Sequence, residues 1–237
     1  MSRFILSLLL MLSFLSQNAC AAQQQEAAND TAAALIRYYP QIKYQQINPS
    51  PVTGVYEVIV ENGEIIYFVP ASGHMFFGEL WTDGGHNLTR ESKSQLMSAK
   101  LKEFPLDQAI KIGEGPNQVI EVTDPDCPFC RQSSDFFLGR DDVTRYIFLS
   151  PIDQLHPHAA DKARYILSAA DPEQAYEEVF SGQFDQQPLP PFTDNGRLEL
   201  QRQIAKRIGI HGTPQFWING QHVAGFNPQQ FETLLNK

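Results

Sequence analysis

Hydrophobic positions along this chain change their period several times, and each change marks an element. From Ala27 to Tyr39 the spacing is helical, with Leu35, Ile36 and Tyr39 on one side, Asn29 or Asp30 available as a cap, and Pro40 as a stop. Val55 to Glu61 and Glu64 to Val69 then read as two strands around Asn62-Gly63, a type I′ turn signal. Ser72-Gly73 leads into a third strand around Met75 to Leu80, and Asp83-Gly84-Gly85 turns the chain again. A helix with so small a meander buries little alone, so this region is expected to dock on something, a symmetric partner being the simplest candidate. Helical spacing returns from Thr89 to Phe104, with Thr89 as cap, Leu96, Met97, Leu101 and Phe104 on one face, and Pro105 as a hard stop. The charged residues of that helix form a solvated face, and the helix reads as a linker.

A loop carrying Gly113, Gly115 and Pro116 opens the second half. A strand over 117–123, a helix from Cys127 to about Leu138 and an apolar run from Val143 to Leu149 have the lengths of a βαβ unit with a right-handed crossover. Helical stretches follow at about His158 to Ala169 and Pro172 to Ser181, then a proline-rich loop over Gln186 to Phe192 and a further helix from Leu198 to Arg207. Strands over 215–218 and 221–225, joined at Asn219-Gly220, make a hairpin, and Pro228 opens a last helix to Leu235. Phe216 and Trp217 alternate across the first of these strands and belong in a core.

Composition narrows the class. With 237 residues and 42% hydrophobic content, the chain fits two small domains. Residues 1–21 read as a secretory leader: Arg3, an apolar run from Phe4 to Leu15 that is too short to span a bilayer, then small residues. Cleavage after Ala21 or Ala22 removes Cys20, whereas a lipoprotein signal would keep it as the acylated first residue; Gln17 and Asn18 do not fit that second pattern. The formal charge of −9 becomes −10 without the leader, whose one charge is Arg3, and such a surface excludes nucleic acid as a partner. The partners are therefore proteins.

The chemistry concentrates in Thr123-Asp124-Pro125-Asp126-Cys127-Pro128-Phe129-Cys130. A strand ends in a turn that delivers two cysteines at C-x-x-C spacing onto the first turn of a helix, with Cys127 as N-cap and Pro128 at N1. Unpaired amides and the positive end of the helix dipole favour a thiolate at Cys127, while Asp124 and Asp126, taken as exposed, oppose it by about 0 to 1 kcal/mol each. Two other readings share the spacing: half of a zinc site, for which the mature chain has no further cysteine, and a plain structural disulfide, which in so tight a loop stabilises little. His156-Pro157-His158 is read as solvent-exposed in preference to a metal site. Thr213-Pro214, just before a strand, is a position where a cis bond can sit, although only about 5% of X-Pro bonds are cis.

The order of elements, the C-x-x-C at the first helix and Gly212-Thr213-Pro214 before the hairpin make the second half resemble thioredoxin. With the leader, the small first domain and the linker helix, nearly the whole mature chain resembles the periplasmic disulfide isomerases of the DsbC/DsbG family. The resemblance implies a leader over 1–21, an α+β, cystatin-like dimerisation domain over 22–88, a helical linker over 89–105, and an α/β thioredoxin fold with a helical insertion over 106–237. It implies that Cys127 attacks, that Cys130 resolves, and that Thr213 and a cis Pro214 face the dithiol and hold substrate. It also implies a homodimer in the periplasm, misfolded disulfide-containing exported proteins as substrates, a membrane reductase of the DsbD type as electron donor, and neither cofactor nor metal. Two departures bear on the activity. The second cysteine pair that DsbC carries in its inserted helices is absent, and the Pro128-Phe129 dipeptide is closer to DsbG. The readings left open are a disulfide isomerase, a reductase protecting single cysteines, and a dimeric holdase chaperone with incidental redox activity.

Overall fold

The computed structural model describes residues 25–236, so the expectations for residues 1–21 and Cys20 lie outside the described residues. The chain forms two compact units, one up to Lys93 and one from Ser94.

In the first unit, residues 25–38 are helical (α1), and the proline at 40 ends the run. Four strands follow as an antiparallel meander in chain order: β1 (Tyr44–Pro49), β2 (Tyr56–Val60), β3 (Ile65–Val69) and β4 (His74–Phe77). Leu35 of α1 packs on Val58, Ile66 and Phe68 from one face of this sheet. Alternation sends Ile65 and Tyr67 to the other face, where the Tyr67 hydroxyl meets Thr89 Oγ1 at 2.6 Å, so both faces are covered and β3 is buried almost throughout. Phe76, Phe77 and Trp81 nevertheless stay exposed, Phe77 at 77%.

Three sequence expectations change here. β1 was not foreseen, because Gln45, Gln46 and Asn48 mask it and a register shift between Tyr44 and Gln46 breaks its alternation. The Asn62-Gly63 turn is not type I′: among the described residues outside glycine only Asn219 has positive φ, whereas Gly63 alone turns left-handed at +83°. Gly63 N–H donates to Val60 O (2.9 Å) and Glu64 N–H to Asn62 Oδ1 (3.0 Å), the bonds of a type I turn followed by a left-handed glycine. Thr89 is not a cap. The helix α2 (Leu88–Ala99) is capped by Asn87, whose Oδ1 accepts from Arg90 N–H at 2.9 Å, while Thr89 Oγ1 accepts from Leu80 N–H.

α2 begins in the first unit and ends in the second. Within the second unit its last residues are tied to the hairpin: Ser94 Oγ donates to His222 O, Ser98 Oγ accepts from His222 N–H, and Trp217 Nε1–H donates to Met97 O. The second sheet contains β5 (Ile110–Ile112), β6 (Asn117–Thr123), β7 (Val143–Leu149), β8 (Gln215–Ile218) and β9 (Gln221–Ala224), in the order β5-β7-β6-β8-β9. Only β6 and β7 are parallel, as the βαβ reading requires. Nothing in the sequence marks the short edge strand β5, whose three residues carry no detectable period.

Helices cover both faces of this sheet. α3 (Pro128–Phe137) and α7 (Pro228–Leu235) close over Val119, Phe216 and Ile218. On the opposite face α6 (Arg197–Ile208) and Phe104 close over Ile120, Val122, Phe148 and Trp217. The inserted helices α4 (Ala159–Ser168) and α5 (Pro172–Phe180) pack with Ile147 and Leu149 around the two cysteines. One buried ion pair crosses the parallel strands: Arg145 Nη2 donates to Glu121 Oε2 (2.7 Å) and to the Tyr176 hydroxyl (2.8 Å), joining α5 to the sheet.

Candidate active site

β6 ends at Thr123, and the chain reverses through Asp124-Pro125-Asp126 into α3. This turn is fastened from within. The Asp124 side chain is fully buried and accepts from Asp126 N–H (2.9 Å) and Ile152 N–H (2.8 Å), and it shares a hydrogen bond with His156 Nδ1 (2.8 Å). Cys127 N–H donates to Asp124 O, which sets Cys127 as the extended N-cap of α3 with Pro128 at N1. Asp124 is therefore a buried acceptor and not the exposed charge expected. Asp126 is likewise paired, with Arg131 and Lys162. His156, expected in solvent, is half-buried against Asp124 because that carboxylate needs a further partner in the interior.

Both cysteines are free thiols; Cys127 is 6% exposed and Cys130 is completely buried. The pairing of β6 with β8 sets Val122 opposite Gln215, so Pro214 comes level with the end of β6. The Thr213-Pro214 bond is cis, and Cys127 Sγ lies 3.7 Å from Thr213 O. The four residues singled out in the sequence thus meet at one end of the sheet.

The two thiols are driven apart electrostatically. The Cys127 pKa is lowered to about 6, first by a hydrogen bond from the Cys130 thiol, against the opposing effect of burial, and then by the Cys130 and Phe129 amides and the Thr213 side chain. Cys130 is pushed far above the ordinary thiol range, first by burial and then by its bond to Cys127, with the Thr123 hydroxyl acting the other way. The helix N-terminus thus helps the Cys127 thiolate, as its position implied, but the partner thiol contributes more. At neutral pH Cys127 is therefore held chiefly as thiolate while Cys130 keeps its proton.

Phe129, between the two cysteines, is exposed, as is Leu155 on the loop that fastens Asp124. Arg131, Lys162 and Asp185 also converge here and were not anticipated. Lys162 is distant in sequence and sits in an ordinary helical stretch, so no local signal marks it. Among the described residues no cluster of three His, Cys, Asp or Glu side chains is arranged to hold a metal, and no helix is long and apolar enough to cross a membrane.

Residues 20–90 match the family described as the disulfide bond isomerase protein N-terminal domain, and residues 104–237 match the thioredoxin-like domain family. A probable thiol:disulfide interchange protein DsbC from Bordetella avium is 30% identical over 197 residues, covering 80% of this chain and 68% of that protein. The protein of the same name from Bordetella parapertussis is 31% identical over 148 residues, which is 60% of this chain and 50% of its own length. Among solved structures, a disulfide interchange protein from Neisseria gonorrhoeae is similar at 33% identity and a TM-score of 0.50, covering 56% of this chain and 96% of that one.

Proposed function

We propose, from the premise that this chain belongs to the DsbC family of thiol:disulfide interchange proteins, that it is a disulfide isomerase acting on exported proteins through Cys127 and Cys130. The observation that carries this reading is the pair of free thiols on the first turn of α3, with Cys127 at its N-cap 3.7 Å from Thr213 O and Cys130 wholly buried behind it, an arrangement that lowers the Cys127 pKa and raises that of Cys130. Cys127 thiolate attacks one sulfur of a wrong substrate disulfide, forming a mixed disulfide and releasing a substrate thiolate. Two exits follow. In the first, another substrate thiolate attacks the substrate sulfur of the mixed disulfide, forming a new substrate disulfide and returning Cys127 as thiolate with no net redox change. In the second, Cys130 loses its proton and attacks Cys127 Sγ, releasing the substrate thiol and leaving the Cys127–Cys130 disulfide. A buried, firmly protonated Cys130 slows the second exit and lengthens the life of the mixed disulfide, which favours shuffling.

Thr213 and Pro214 hold the substrate in this reading. The Thr213 backbone beside Cys127 suits an extended chain added as a strand, a mode that does not demand a particular substrate sequence. Residues 22–88 form the dimerisation domain, and the exposed Phe76, Phe77 and Trp81 support an interface there. Residues 89–105 space the two active sites. The leader over 1–21 directs the chain to the periplasm, where a membrane reductase of the DsbD type returns two electrons whenever the second exit is taken. Pro128-Phe129 favours a second reading with the same residues, a reductase that rescues single oxidised cysteines.

Reduction of insulin separates both enzymes from a holdase. The protein should cleave the insulin disulfides, Cys127→Ser should not, and Cys130→Ser should accumulate mixed disulfides. Slowed aggregation with intact insulin disulfides would reject the enzymatic reading, and equal loss of trapping in both variants would reject the roles of the two cysteines.

A further inference from the structure

Four charged side chains from four segments meet beside the first turn of α3. Lys162 Nζ of α4 donates to Asp126 Oδ1 and Asp185 Oδ1, each at 2.6 Å. Arg131 of α3 donates through Nη2 to the same two oxygens, at 2.9 Å and 2.7 Å, and through Nη1 to the other oxygen of Asp185. Its Nε–H donates to Pro125 O at 2.8 Å. Two cations and two anions cancel, and Lys162 is only 6% exposed.

A lysine is almost never buried so far unless paired, and a buried ion pair is a poor source of net stability, because desolvation offsets the attraction. The cluster's place is more telling than its strength. Asp126 adjoins Cys127, and Arg131 N–H donates to Cys127 O at 3.1 Å, so the charges stand within a few bonds of the sulfur-bearing residue on both sides. Alone, the Asp126 carboxylate would oppose a thiolate; with Lys162 and Arg131 against it and Asp185 balancing them, the cluster is neutral. Asp124 and His156, the other titratable groups on this turn, are paired with each other outside the cluster.

We propose that Asp126, Arg131, Lys162 and Asp185 are positioning residues whose charge balance sets the redox equilibrium of the Cys127–Cys130 dithiol, an inference that rests on the redox role proposed above for these cysteines. The half-reaction takes the Cys127–Cys130 disulfide, two electrons and one proton to the Cys127 thiolate and the Cys130 thiol. With glutathione, two molecules of the thiol supply the electrons, become one glutathione disulfide and release one further proton. The reduced side carries the extra negative charge near the cluster, so the cluster's net charge must move the equilibrium with a definite sign.

Removing the buried cation, Lys162→Gln, leaves a net −1 and should favour the disulfide. Asp185→Asn leaves a net +1 and should favour the dithiol. Each shift is expected to be about three- to tenfold in the equilibrium constant with glutathione. A tenfold change is about 30 mV for this two-electron couple. The double variant is neutral again and should return near the wild-type value. A purely structural fastener would behave otherwise, since both single variants loosen the same contacts and would shift the equilibrium together or not at all. Equilibration of the full-length protein and the three variants with glutathione at neutral pH, read by thiol alkylation and mass, decides this. Opposite shifts that cancel in the double variant support the proposal. Shifts of the same sign, or none, overturn it while leaving the dithiol's role intact. Should Lys162→Gln not fold, Asp185→Asn alone still decides, because anything but a shift toward the dithiol is contrary. A wild-type Cys127–Cys130 pair that never equilibrates with glutathione overturns the functional reading and this inference with it.

Discussion

Cys127 and Cys130 share a helical turn, yet burial and their mutual hydrogen bond send their proton affinities in opposite directions. The Cys127 pKa is lowered, so its thiolate predominates already at neutral pH and is lost as pH falls through about 6. Alkylation of the reduced protein should therefore follow a single titration near pH 6 at Cys127, with Cys130 unreactive. A midpoint near 8.5, the free-thiol value, would contradict the geometry described. A second buried titrating group is His222, lowered to about 4 by burial against Trp217, with Nε2 bonded to Gln215. A depressed imidazole pKa means that the folded state binds the proton less readily than the unfolded chain. Its contribution is complete above pH 6.5 and is lost as pH falls toward 4, by about 3 kcal/mol in all. Chemical denaturation across that range should show His222→Gln losing less stability with acid than the wild type does. At this scale the cysteines, Thr213 and Pro214 were legible because they form contiguous motifs. Asp124 as an internal acceptor, His156, Lys162 and Asp185 were not, since Lys162 reaches Asp126 across 36 residues and only the fold brings them together.

Among the elements, the two Asn-Gly turns show what local sequence can and cannot say. Asn219-Gly220 takes positive φ at both positions, +47° and +87°, as a type I′ hairpin turn requires. Asn219 is also used from three sides: Oδ1 accepts from Gln118 N–H, and Nδ2 donates to Asn117 Oδ1 and Leu234 O. Asn219→Ala should therefore cost about 2 kcal/mol in chemical denaturation, combining strained φ with lost hydrogen bonds. Unchanged stability would mean that this turn does not anchor the hairpin. Asn62-Gly63 has the same dipeptide but no such partners across the sheet, and it relaxes to a type I turn with a left-handed glycine. The strands β6 and β7 and the helix α7 could be read from their periods because each is long enough to show one or is opened by a proline. β1 and β5 could not, the one bulged and polar, the other three residues long.

For the whole molecule, the account gives the first hundred residues a purpose that disulfide exchange alone does not require. Phe76, Phe77 and Trp81 remain exposed in the first unit, although its sheet is covered on both faces. Sedimentation of the full-length protein should show a dimer, and Phe77→Lys should weaken it; a monomeric wild type would reject the interface. In such a dimer, as proposed, two dithiols would act on one substrate, raising its effective concentration at each and keeping a released chain near for another round. The central claim is that this arrangement reshuffles disulfides instead of only reducing them. The most direct measurement is the recovery of ribonuclease activity from the scrambled, fully oxidised enzyme when the reduced full-length protein is added in catalytic amount. The account predicts steady recovery that Cys127→Ser abolishes. No return of ribonuclease activity, with the added protein recovered as the Cys127–Cys130 disulfide after giving its one pair of electrons to the substrate, would contradict it and leave a reductase.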